Sequence, residues 1–133
     1  MADPLPPMTP SHIPDDVRRF LLGAIPTVPH LEALLLLRAE PSEPWTASRL
    51  ARRLYVDEGQ AASLLRDLHG AGLLQAMGHG YRYDPVEDAL ADTVSALDAV
   101  YARHVVEVAE LIHSSSDRKA QRFADAFRLR KDP

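Results

Sequence analysis

The chain has no cysteine among its 133 residues, which excludes disulfides, cysteine-containing zinc sites and thiolate catalysis. Its longest unbroken apolar run, Ala33 to Leu37, is far short of the ~18 residues a membrane span needs. The opening stretch MADPLPPMTPSHIP has neither a basic start nor an apolar core, so no signal peptide is expected and the chain reads as cytoplasmic. No glycine-rich phosphate loop is present, because Gly70 and Gly72 suit a helix end and Gly78 and Gly80 a tight hairpin. Ser, His and Asp residues occur at no spacing that joins a nucleophile to a base, so no enzymatic activity is expected.

What is present suits one globular domain with an appendage. Hydrophobic residues make up 46% and charged residues 26%, the proportions of a folded chain rather than a disordered one. The net charge of −4 hides a segregation. Residues 1–46 set Arg18, Arg19 and Arg38 against six acids, for −3, while residues 47–83 set five arginines against Asp57, Glu58 and Asp67, for +2. Residues 84–113 set Arg103 against seven acids, for −6, and residues 114–133 set six cations against three Asp, for +3. Positive charge thus gathers in the middle of the chain and at its end.

Five of the eleven prolines fall in residues 1–14, which predicts an extended or disordered arm. Asp15 and Asp16 open a short helix with Val17, Phe20, Leu21 and Ala24 on one face, stopped by Pro26. A second helix runs from Thr27–Pro29 to Glu40, apolar over more than one face. Trp45-Thr46 is a candidate first strand. Thr46 or Ser48 can cap a third helix that buries Leu50, Ala51 and Leu54 and leaves Arg49, Arg52 and Arg53 largely outside. Asp57 with Gln60 three residues on is a capping box for a fourth helix, whose inner face is Ala61, Leu64, Leu65 and Leu68. Leu73–Met77 and Tyr81–Tyr83 alternate as two strands around Gly78-His79-Gly80.

From Pro85 a long helix is expected to about His113, with Leu90, Val94, Leu97, Tyr101, His104, Val108 and Leu111 at four-three spacing. Such a stripe is a candidate homodimer seam. Ser114-Ser115-Ser116 is expected to break it, and the closing basic helix carries Phe123 and Phe127 on one face, a possible docking face for a protein partner. On the long helix, His104 and Glu107, and Glu110 and His113, each stand three apart. Glu-x-x-His is the carboxylate-bridged metal pattern of helical bundles, which needs a second copy and further Glu residues. The ligand set is incomplete, so neither metal nor cofactor is expected.

The segment Trp45–Tyr83, with Thr46, Leu50-Ala51, Leu54, Val56, the cap at Asp57, Leu65, Leu68, Ala71-Gly72-Leu73 and Tyr81-Arg82-Tyr83, resembles the winged helix-turn-helix domains of small bacterial transcriptional regulators, broadly of the MarR kind. The long helix resembles the dimerisation helices attached to many such regulators. The ending RFADAFRLRKDP resembles that of an uncharacterised bacterial family. The resemblance implies a mainly α fold with a small β-wing: an arm over 1–14, a winged helix domain over 15–84, a dimerisation helix over 85–113 and a basic C-terminal helix over 114–133. It also implies a homodimer on double-stranded DNA. The fourth helix would read bases through Gln60, Ser63 and Arg66; Arg49, Arg52 and Arg53 would hold phosphates, and His79 and Arg82 would serve the wing. Asp57, Glu58 and Asp67 oppose this by bringing carboxylates toward phosphates. The alternative is a winged-helix module that binds another protein rather than DNA.

Overall fold

Three short-range bonds set the helix starts. The Thr27 hydroxyl accepts from the His30 amide at 3.3 Å, that of Thr46 from Arg49 at 3.1 Å, and the Asp57 carboxylate from Gln60 at 2.7 Å. Each residue is an N-cap that satisfies an otherwise orphaned donor, worth roughly 1 kcal/mol. The computed structural model describes residues 12–131, with side chains to residue 126. The elements are α1 (Asp15–Ala24), α2 (Val28–Ala39), α3 (Ala47–Leu54), α4 (Glu58–Gly70), β1 (Leu74–Met77), β2 (Gly80–Tyr83), α5 (Asp88–Arg103) and α6 (Val105–Lys131). The protein is therefore mainly helical, with one small antiparallel sheet.

Helix α2 is the hub. Leu31, Ala33, Leu34 and Leu37 are all fully buried, because the helix packs against α3, α4, α6 and β2. This explains its apolarity on several faces. Among the described residues no single helix is long and apolar enough to cross a membrane.

Helix α4 ends in a paired turn: Gly72 donates to His69 O at 3.0 Å and Leu73 to Leu68 O at 3.1 Å, with Gly72 at φ +81°. These are the two bonds of a Schellman motif, which needs a left-handed residue at that position. The chain then enters β1, which pairs with β2 in the register Leu74–Tyr83, Gln75–Arg82, Ala76–Tyr81 and Met77–Gly80. Trp45 adds one bridge to Tyr81 on the other side of β2, bonded at 2.7 and 2.9 Å. The approach is so close that a Cβ on Gly80 would sit 2.7 Å from the Trp45 carbonyl oxygen.

Three expectations need correction. The helix expected over 85–113 is two helices, broken at His104 (φ −133°, ψ 50°) with no Gly or Pro nearby. The serines at 114–116 do not break anything; α6 runs through them, since serine is only mildly unfavourable inside a helix. The stripe expected to pair across a dimer is in part taken up inside the chain. Val94, Leu97 and Val108 are fully buried, and Leu90, Tyr101, His104 and Leu111 are half-buried. The break makes this possible. Beyond the break, Val108 and Ile112 of α6 are buried in the same core.

The arm expected over 1–14 lies, up to residue 11, outside the described residues, but its last residues are docked. Ile13 is buried in the core and His12 is bonded to Glu107. The side chains of Phe127, Arg128, Arg130 and Lys131 also lie outside the described residues.

Candidate nucleic-acid interface

Helices α3 and α4 meet at a turn of three residues, Tyr55 to Asp57. Tyr55 occupies the left-handed region (φ 59°, ψ 46°), and Val56 donates back to Ala51 O at 3.1 Å. Glycine is the residue that adopts this conformation without strain; for tyrosine it costs about 1–2 kcal/mol. The ring is 94% exposed, so burial does not offset that cost. Beside it an open groove of about 690 Å³ is lined by Ser48, Arg52, Val56 and Glu58, among others. Tyr55 is the residue that sequence reading missed here. Its signal was a helix C-terminus with no glycine before the Asp57 cap.

On α4 the inner face is Ala61, Leu64, Leu65 and Leu68, all buried. At 100° per residue the opposite stripe is Gly59, Ser63, Arg66 and Gly70. Small side chains flank the one long cation, so another surface can approach the helix backbone closely. Arg66 is exposed and in no ion pair among the described residues. Gln60 is exposed and Ser63 half-buried on the same helix.

The three acids expected to oppose an anion are not equivalent. The Asp57 carboxylate is the helix cap. Asp67 Oδ2 sits 2.8 Å from Nε2 of His30, a buried residue of α2, whose Nδ1 lies 2.6 Å from the Thr27 hydroxyl. Only Glu58 is exposed without an internal bond among the described residues. Asp57 and Asp67 are thus held in place by internal bonds, which Glu58 lacks among the described residues.

The arginines of α3 divide in the reverse sense. Arg53 makes a two-pronged pair with Glu40 at 2.8 and 2.7 Å. That hydrogen bond holds the Glu40 carboxyl below, and the Arg53 guanidinium above, their usual ranges. Arg49 lies over the Trp45 ring, its guanidinium carbon 3.6 Å from the centroid, and donates to Glu43 O at 3.0 Å. Trp45 is itself fully buried and donates to Glu40 O at 2.9 Å. The four residues form one internal cluster of cation–π, ion-pair and backbone bonds. Arg49 and Arg53, expected to hold phosphates, are engaged in fastening α3 to the turn before it. Arg52 is different: it is exposed, with only a 3.5 Å contact to Ser48.

At the hairpin, His79 is exposed at the tip and Arg82 is exposed on β2, opposite Gln75 and 3.4 Å from its side-chain oxygen. His69 of α4 rests against the Tyr81 ring at 5.2 Å and ties the helix to the sheet. Of the cations expected to contact DNA, Arg52, Arg66 and Arg82 are left without an ion pair among the described residues, and His79 is exposed. No protein-family profile, curated protein or solved structure matches the chain.

Proposed function

We propose that α2, α3, α4 and the β1–β2 hairpin form a winged helix-turn-helix, and that the protein is a transcriptional regulator binding double-stranded DNA as a homodimer. The observation that carries the reading is the outward stripe of α4: Gly59, Ser63, Arg66 and Gly70, with its only long side chain an uncommitted arginine. In such a motif the second helix enters the major groove and the first crosses the backbone. Arg66 then reads a guanine edge, with Gln60 and Ser63 as lesser base contacts. Arg52 and Tyr55 meet the backbone beside the start of α4, and Arg82 and His79 meet it at the wing. A strained, exposed tyrosine at this turn fits a contact residue, since strain of this kind clusters at functional positions.

The dimer contact belongs on the outer length of α6, where Ala120, Phe123 and Ala124 are exposed, and not on the stripe absorbed by the core. The exposed Phe123 also favours a second reading, a winged-helix module that takes a protein partner there.

Fluorescence anisotropy against a pool of genomic DNA fragments at low and moderate salt tests the proposal. Two arginine–phosphate contacts per protomer, from Arg52 and Arg82, predict a log–log salt slope of about −2 per half-site. No binding above a neutral control protein at low salt defeats the DNA reading. Partner binding that is insensitive to salt supports the second.

A further inference from the structure

The break between α5 and α6 brings together three side chains far apart in sequence. His104 stands at the break, Glu107 in the first turn of α6, and His12 on the segment that enters α1. His12 reaches Glu107 twice: its amide donates to Oε2 at 3.0 Å and its Nδ1 lies 3.0 Å from Oε1. Its ring stacks on that of His104, with centroids 4.2 Å apart and planes 12° from parallel. One potential ligand atom from each of the three lies within 4.8 Å of the others.

From this we infer that the His12–His104–Glu107 cluster is a binding site for a divalent first-row transition ion, zinc by preference. Two imidazoles and one carboxylate suit zinc, cobalt, nickel or ferrous iron and do not suit calcium or magnesium, which take oxygen ligands. Zinc lies about 2.0–2.2 Å from such donors, so its ligand atoms stand about 3.5 Å apart. Closing the cluster to that spacing requires its side chains to rotate. The stacked rings cannot both aim a lone pair at one ion, so binding turns them out of the stack. The fold already holds the three together: the break at His104 sets that ring against His12, and the buried Ile13 anchors His12 beside it.

Three protein ligands leave a fourth zinc position open. A cavity of about 920 Å³ adjoins the cluster, lined also by Arg18, Arg103, Glu110 and Arg118. Water or a small anion completes the tetrahedron there, the arginines favouring an anion. The ion also clips the segment before α1 to α6 across 95 positions of sequence, so it stabilises the folded chain.

The test is calorimetric titration of the full chain with zinc at neutral pH, with cobalt substitution read by its visible absorption bands. One ion per chain, a rise in Tm of several degrees and tetrahedral cobalt bands are expected. His12→Ala and Glu107→Gln should each weaken binding by at least the roughly 10–100-fold seen for lost outer-shell partners. His69→Ala and His113→Ala should leave it unchanged. His12 is half-exposed, so its variant keeps the fold, which circular dichroism verifies. The absence of saturable binding at micromolar zinc overturns the site, and so does binding of equal strength in His12→Ala.

Discussion

His30 Nε2 lies 2.8 Å from Asp67 Oδ2, joining the buried side of α2 to the flank of α4. With Thr27 at the other ring nitrogen, the histidine satisfies both of its polar atoms inside the core. Replacing it with alanine removes the ring's bonds to Thr27 and Asp67 and opens space under α4. His30→Ala is expected to lose about 1–3 kcal/mol of stability in urea titrations. Asp67→Asn, which keeps an acceptor at a mostly solvated position, should lose much less.

The division among the arginines separates binding from folding. Under the proposed function, Arg66→Ala should cost about 1–3 kcal/mol of DNA affinity and relax sequence preference, with Tm unchanged. Arg53→Ala should instead lower Tm and leave the salt slope of DNA binding as it was, because Arg53 is paired with Glu40. Anisotropy and thermal melts on the same two variants check both halves.

Glu40 supplies a pH signature. Its carboxyl is held below the ordinary 4.5, chiefly by the Arg53 hydrogen bond. A depressed carboxyl contributes stability that is present above its unfolded value and lost as pH falls through the folded one. The pair should therefore persist through mildly acidic solution and open only below the usual carboxylate range. An NMR titration of the Glu40 side-chain carbonyl should show a lowered midpoint, which Arg53→Ala returns toward 4.5.

Leu97 is fully buried against its own chain. Leu97→Ala should cost about 2–5 kcal/mol, with a Tm shift that does not depend on protein concentration. A seam between subunits would instead give a shift that grows on dilution.

At the two turns flanking α4 and β2 the backbone makes opposite demands. Gly80→Ala forces a Cβ against the Trp45 backbone and should lower Tm sharply, because that neighbour cannot move without breaking the bridge to Tyr81. Tyr55→Gly relieves the left-handed strain and should leave stability unchanged or raise it by up to about 1 kcal/mol, since glycine's greater unfolded-state freedom offsets part of the gain. Under the proposed function the same variant binds DNA less tightly, which anisotropy measures.

Much of the frame was legible from local spacing. The caps at Thr46 and Asp57 join residues three apart, and the glycine-ended α4 and the two strands around Gly78-His79 depend on near neighbours. The break at His104 was not legible. It carries neither glycine nor proline, and the serines that looked like a stop are helical. Nor was the fate of Arg49 and Arg53. Both lie outside the helix's apolar face, and only the fold brings the Trp45 ring and the Glu40 carboxylate to them.

The amino-acid pattern alone determined which segments are helix and strand and where most of them begin. Capping, periodicity and turn chemistry act over three or four residues and need no distant partner. Tertiary structure decided which arginines remain free, where the long helix bends and that His12 meets His104 and Glu107. Those outcomes depend on competition for one finite core and on charges brought together across as many as 95 positions. No local rule contains that information, because the chain must close on itself before those groups are neighbours.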